Sequence, residues 1–237
     1  VILSIRSFLF YVGMVAIVVT MLLAFVVAVF LPQLPRNSWL AYWSRSIIWW
    51  LKVTCGVSYE VIGRENIPAE NGVILSKHQS AWETFALQGI FPPQTWVLKR
   101  ILMWIPVFGW GLALAGSIAI DRGAGTQALK QVIDKGTDRL KKGLWVVIFP
   151  EGTRAAPGIP GKYNPGGAML AVRSGYSVVP VAHNAGSHWP RSGWPIRPGV
   201  VTMVIGPPMS PEGLKPGELN QQVAAWIEAR MTEIEQV

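Results

Sequence analysis

The chain has 237 residues, with 21 Lys and Arg against 13 Asp and Glu, a formal charge of +8. Half of it is hydrophobic (51%), only 14% is charged, and the mean hydropathy is positive at +0.34. That balance excludes a disordered or low-complexity chain, and a single cysteine, Cys55, excludes an internal disulfide framework.

In chain order, residues 8–31 come first, and FLFYVGMVAIVVTMLLAFVVAVFL carries no charge. A helix of that length rises roughly 36 Å, enough for a hydrocarbon core of about 30 Å, which predicts a retained membrane segment. A cleaved signal peptide fits less well, because its apolar run is shorter and no small-x-small site precedes Pro32. Arg6 alone stands before this run, whereas Arg36, Arg45 and Lys52 follow it, so the positive-inside rule puts the bulk of the chain in the cytoplasm. In residues 38–56, Trp39, Trp43, Ile47 and Trp50 are spaced 4, 4 and 3 apart and gather on one side of a helix. That helix either lies in the headgroup zone, with Arg45 and Lys52 snorkelling, or packs on the domain core. Two such helices in tandem also make a hairpin that dips into one leaflet without crossing. Residues 1–56 are therefore read as membrane anchor and interfacial helix, and residues 57–237 as one α/β domain.

The domain contains seven strand-like runs: VSYEVIG, GVILSK, TWVLKR, SIAID, LWVVIFP, SVVPVA and VVTMVIG. Most are continuous rather than alternating, which marks strands buried on both faces, and helical patterns over residues 80–90, 126–142 and 219–234 lie between several of them. The expected fold is α/β, a mixed and largely parallel central sheet with helices on both faces. In such folds ligands gather beyond the carboxyl ends of the strands. Lys77-His78, Lys99-Arg100, Asp121-Arg122, the segment from Glu151 to Arg154, and His183 all stand at such ends.

Three segments carry chemistry. His78 and Glu83 are five residues apart in HQSAWE; on a continuous helix they would diverge by about 140°, so His78 belongs to the loop, Ser80 to the cap and Glu83 to the first turn. A carboxylate on Nδ1 fixes the tautomer and supports a general base. Next, FPEGTR leaves a buried strand, so that Glu151 and Arg154 either face a cleft or form a structural surface pair. Lastly, Asp121-Arg122-Gly123-Ala124-Gly125-Thr126 precedes a helix whose first N–H groups can hold an anion, without the spacing of a P-loop.

Taken in order, H-x4-E, GSIAIDR, FPEGTR and VPVAHN resemble the glycerolipid acyltransferase family, most closely the bacterial lysophosphatidic acid acyltransferases, over roughly residues 57–206. The resemblance implies His78 as catalytic base and Glu83 as its acidic partner. It implies Lys99, Arg122 and Arg154 at the acceptor's phosphate, Glu151, Gly152 and Thr153 shaping acceptor binding, and Val179, Pro180 and Val181 for the acyl donor or for strand packing. It further implies acyl transfer from acyl-CoA or acyl-carrier protein to the free sn-2 hydroxyl of 1-acyl-glycerol-3-phosphate, giving phosphatidic acid. The implied setting is a bacterial inner membrane with the domain on its cytoplasmic side. Glu83 stands where most members carry Asp, which puts the acceptor in question: lyso-ornithine lipid or another lysolipid is the alternative, and a catalytically silent lipid binder the more distant one. No G-x-S-x-G elbow is present to form an acyl-enzyme, and no zinc spacing is seen, so neither cofactor nor metal is expected. The basic balance is assigned to anionic lipid headgroups rather than nucleic acid, for which no recognition motif appears. The run 102–115, with Trp104 and Trp110, reads as membrane-contacting surface, as the wall of an acyl groove, or as ordinary core.

Overall fold

The structure, a computed structural model, describes residues 1–28, 30–91, 93–105 and 108–235, with the side chains of all these except 22, 23, 25–28 and 122. Two long helices lead: α1 (Ile2–Ala28) and α2 (Gln33–Cys55). They run antiparallel, since Arg6 Nε donates to Thr54 O at 2.6 Å and Trp50 Nε1 to Phe10 O at 3.2 Å. Close approach requires Gly13, where an added Cβ would stand 2.1 Å from Trp50 Nε1. The segment Ile2–Met21 is long and apolar enough to cross a membrane, with a mean hydropathy of 2.2. Helix formation begins at Ile2, six residues ahead of the uncharged run, because Arg6 and Ser7 are satisfied by the fold itself.

One face of α2 packs on the domain: Leu40, Ile47, Ile48 and Leu51 are buried there, each contributing about 1.5–3 kcal/mol. Asn37 fixes the helix further, its amide donating to Gln94 O and Ala115 O, both at 2.9 Å. Of the expected tryptophan stripe, Trp43 and Trp50 are half-buried, while Trp39 joins Tyr42, Trp49 and Val53 on the outside.

Beyond α2 come β1 (Val57–Ile62), β2 (Val73–Ser76), α3 (Trp82–Ile90), β3 (Gln94–Lys99), α4 (Phe108–Leu114) and β4 (Ile118–Ile120). The chain continues with α5 (Thr126–Lys141), β5 (Trp145–Ile148), α6 (Gly166–Ser174), β6 (Val178–His183), α7 (Ala185–His188), β7 (Gly199–Ile205) and α8 (Pro216–Ile234). All seven expected strand runs are found, and the described residues form one seven-stranded sheet in the order β1-β7-β6-β2-β5-β3-β4. Neighbours pair in parallel except β6 with β7, so β1 and β7 oppose the other five.

Alternate residues of the central strands enter opposite cores. Ile74, Val147 and Val179 pack with Phe10, Ile47, Leu51, Trp82 and Trp189 on the side of α1, α2 and α3. Val73, Leu75, Val146 and Val178 pack with Val132, Leu140, Leu170, Val223 and Ile227 on the side of α5, α6 and α8. Burial on both faces explains the continuous apolar runs. The helices of the second side bury residues at helical spacing, Ala128, Val132, Gly136 and Leu140 in α5 and Leu219, Val223, Ile227 and Met231 in α8. Because β2, β3, β4, β5 and β6 share a direction, their carboxyl ends meet at one rim of the sheet.

Candidate active site

At that rim β2 ends, and the backbone turns into α3 through Lys77, His78, Gln79 and Ser80. The Lys77 N–H still donates to Val181 O of β6 at 2.9 Å, and His78 O accepts from Ala155 N at 2.8 Å. His78 Nδ1 lies 2.7 Å from Glu83 Oε1. That carboxylate is fully enclosed in the first turn of α3 and also accepts the N–H groups of Gln79 at 3.1 Å and Ser80 at 3.0 Å. Ser80 Oγ in turn accepts from Trp82 N at 3.1 Å, but the cap expected at Ser80 falls one residue later, on Ala81, which makes no side-chain capping bond, because Ser80 is drawn into the turn closed by Glu83. Glu83 therefore does two jobs with one group, closing a turn of backbone donors and holding the imidazole. Burial alone would raise its pKa; His183, His78 and the Ser80 amide outweigh burial and hold it below the ordinary carboxylate range. An ionised carboxylate only accepts, so Nδ1 carries the proton and the lone pair sits on Nε2. The ring plane is set by Phe149, stacked on the imidazole at 4.1 Å and 15°.

A second histidine stands behind the pair. His183, completely buried, points Nε2 at Lys77 O at 2.9 Å and accepts from Ala185 N through Nδ1 at 3.3 Å, while its Nε2 is 3.9 Å from Glu83 Oε2. Both ring nitrogens thus have backbone partners, and burial pushes the pKa of the ring down against the opposing pull of Glu83.

His78 opens on a cavity of about 580 Å³. Its wall is apolar, with Leu40, Trp43, Phe85, Trp96, Leu102 and Leu112 among the lining residues, and its rim carries Lys99, Thr153, Arg154 and Arg191. Among the described residues, none that lines the cavity is acidic. An apolar cavity with cationic groups in its lining has the chemistry to suit an amphiphile bearing an anionic head. The run 102–115 contributes on both sides: Leu102, Leu112 and Ala115 line the cavity, whereas Trp104 and Trp110 are 74% and 65% exposed.

The residues expected from sequence fall into four groups. His78, Lys99, Gly152, Thr153 and Arg154 line the cavity, and Glu83 supports His78 from behind. Glu151 is buried and turned toward Lys77, with Oε1 2.7 Å from the ammonium and Oε2 accepting the His78 N–H at 3.0 Å. Val179, Pro180 and Val181 are buried inside the central strand β6. Arg122 begins a short 3-10 turn after β4, in which Asp121 Oδ1 accepts from Gly123 N at 3.0 Å; its side chain lies outside the described residues. Sequence reasoning gave no role to Arg191, whose Nη1 donates to Arg154 O at 3.3 Å, nor to Phe149 or Glu228. For Phe149 a signal existed, since it opens the FPEGTR segment; for Arg191 and Glu228 there was none, as each reaches the site across a long sequence separation.

The histidine–carboxylate pair beside an apolar cavity with cationic side chains in its lining, at the carboxyl ends of the strands, has the form of an α/β enzyme's active site. The chain belongs to the acyltransferase family, whose model matches residues 58–184, and it is an enzyme of that family. It is 50% identical to the 1-acyl-sn-glycerol-3-phosphate acyltransferase of Pseudomonas aeruginosa over 98% of this chain and 92% of that one. The enzyme of the same name from Saccharomyces cerevisiae is 35% identical over 55% of this chain and 44% of its own length. In fold the chain matches the crystal structure of the 1-acyl-sn-glycerophosphate (LPA) acyltransferase PlsC from Thermotoga maritima, with a TM-score of 0.80 at 24% identity, over 98% and 95% of the two chains.

Proposed function

We propose that this enzyme transfers an acyl group from a thioester, acyl-CoA or acyl-carrier protein, to the sn-2 hydroxyl of 1-acyl-glycerol-3-phosphate, giving phosphatidic acid. The observation that carries the reading is the His78–Glu83 pair at the mouth of an apolar cavity whose rim holds Lys99 and Arg154. The name of the Pseudomonas aeruginosa relative, a 1-acyl-sn-glycerol-3-phosphate acyltransferase, supports the choice of acceptor. His78 Nε2 removes the proton of the acceptor hydroxyl as its oxygen attacks the thioester carbonyl; a C–O bond forms and a tetrahedral oxyanion results. Collapse of that oxyanion breaks the C–S bond, and the imidazolium returns the proton to the departing thiolate. Glu83 stabilises the imidazolium in between. Lys99 and Arg154, joined by Arg122 on the strength of the family resemblance, hold the phosphate, which restricts the acceptor's orientation and lowers the entropic part of the barrier. The apolar wall houses an acyl chain.

The membrane reading follows from α1 and α2. Ser7 Oγ accepts from Ile196 N at 2.9 Å, Tyr11 OH donates to Gly193 O at 2.6 Å and Phe10 packs edge-on against Trp189 at 5.0 Å. The first half of α1 is thus bound to the catalytic domain, and α2 returns to that same domain. This supports a hairpin embedded from one side over a single crossing. The cluster Arg36, Arg45 and Lys52 supports the cytoplasmic side of a bacterial inner membrane.

The acceptor is tested by offering membranes that contain the enzyme equal amounts of lysophosphatidic acid, lyso-ornithine lipid and lysophosphatidylcholine, with product read by mass spectrometry. Phosphatidic acid is expected to dominate, and Arg154→Gln to raise KM for lysophosphatidic acid roughly 10-fold. Dominant acylation of lyso-ornithine lipid, which has no phosphate, with Arg154→Gln without effect, would replace the acceptor while leaving the chemistry intact.

A further inference from the structure

Lys77 ends the buried run of β2, and its side chain is 2% exposed. An ammonium in that position requires counter-charge. It has two: Glu151 Oε1 at 2.7 Å and Glu228 Oε1, to which it donates at 2.8 Å. Glu228 belongs to α8, outside the residues 58–184 matched by the family model, and its Oε1 also accepts from Tyr163 OH at 2.7 Å. The ring of Tyr163 lies 6.0 Å from the Lys77 ammonium, covering it. Seven residues on, at the end of α8, Glu235 accepts from Gln79 Nε2 at 2.7 Å and from Gly158 N at 2.8 Å. Residues seven apart share a helix face, so the last helix presents both acids to the two motif loops.

Glu151 is the centre of this cluster. One oxygen faces the Lys77 ammonium and the other accepts the His78 N–H, so the carboxylate fixes the backbone of the base itself. It is not among the residues lining the cavity. The loop from FPEGTR to α6 closes over it at Gly161, where a Cβ would stand 2.5 Å from Glu151 Oε1. This enclosure is at odds with a carboxylate that receives the hydroxyls of an acceptor.

We propose that Glu151, Lys77 and Glu228 are positioning residues for His78, and that α8 is through them a part of the catalytic apparatus. Glu228 holds Lys77, Lys77 holds Glu151, and Glu151 holds the His78 N–H, which sets where Nε2 stands at the mouth of the cavity. The inference rests on the reading of His78 as the base. Displacement of a reacting group by about 1 Å lowers the rate about 100-fold without altering how substrate binds.

Glu151→Gln, Glu228→Gln, Lys77→Met and Lys77→Arg are to be compared with wild type in steady-state assays with lysophosphatidic acid and acyl-CoA, with Arg154→Gln and His78→Ala as references. Each of Glu151→Gln and Glu228→Gln is expected to lower kcat about 10- to 100-fold with KM for both substrates within about twofold of wild type. Lys77→Arg is expected to recover more of kcat than Lys77→Met. A rise in acceptor KM at unchanged kcat for Glu151→Gln, as in Arg154→Gln, would make Glu151 an acceptor ligand and overturn the proposal. So would a wild-type kcat in Glu228→Gln. Should Glu151→Gln fail to fold, Glu228→Gln carries the test, because its side chain is 29% exposed and sits on the outer end of the chain of contacts. Full activity in His78→Ala would overturn the base and this proposal together, whereas an inactive His78→Ala beside an unimpaired Glu228→Gln would remove this proposal alone.

Discussion

Glu83 holds both the His78 ring and the N–H groups of Gln79 and Ser80, and its removal therefore has two separable effects. Glu83→Gln keeps the shape but loses the charge that stabilises an imidazolium, so kcat is expected to fall about 100-fold with little change in KM, measured in the same acyl-transfer assay. Glu83→Ala leaves the Gln79 and Ser80 N–H groups without their acceptor, and a lowered melting temperature is expected in addition, from about 1–3 kcal/mol for each orphaned donor. Equal melting temperatures for the two variants would contradict this division of labour. A pH dependence belongs to the neighbouring cluster. Burial alone would lower the Lys77 pKa, but Glu151 and Glu228 outweigh it and raise it above 10.5. Burial and the bond to Glu228 likewise push the Tyr163 phenol above 10.0. Both groups bind their protons more tightly folded than unfolded. The stability they supply is therefore complete below about pH 10 and lost as the pH rises above it. Thermal melts in detergent between about pH 9 and about pH 11 are expected to fall more steeply for wild type than for Tyr163→Phe or Lys77→Met. Parallel curves would exclude this contribution.

At the scale of elements, the strands were the most legible part of the chain. Runs such as VILS and WVVI are apolar at every position because each strand is covered on both faces, and that pattern needs no knowledge of the partner strands. The helices α5 and α8 were legible from their spacing, although α8 begins at Pro216, three residues before the first apolar position, with Glu218 reaching back to the Lys215 N–H at 2.7 Å. The placement of His78 in a loop and Glu83 in the first turn also followed from sequence, since five residues do not superpose on a helix. The inward turn of Glu151 did not follow. It depends on Lys77 and on Glu228, 77 residues further along, and no local pattern announces a contact of that separation. The hairpin of α1 and α2 depends in the same way on close packing. Gly13→Val, whose Cβ would meet the Trp50 indole at 2.1 Å, is expected to splay the two helices. Limited proteolysis should then cut between them faster than in wild type, and an unchanged cleavage rate would contradict the packing described here.

For the whole molecule, the sheet gathers five strand ends at one rim, and the hairpin brings an apolar surface beside it. Val18 and Met21 of α1 line the same cavity as His78, so the apolar helix forms part of the cavity wall rather than a detached tether. If both ends of the hairpin's outer arms stay with the domain, a membrane-impermeant maleimide is expected to label Ile2→Cys and Glu65→Cys from the same side of sealed vesicles. Labelling from opposite sides would require α1 to cross. In the proposed mechanism, acyl transfer turns on His78 as the general base. The most direct measurement compares membranes bearing wild-type and His78→Ala enzyme, matched in amount and melting temperature, for thioester-dependent formation of phosphatidic acid from lysophosphatidic acid. The rate is expected to fall roughly 100- to 10,000-fold in the variant; a folded His78→Ala enzyme turning over at the wild-type rate would remove His78 as the base.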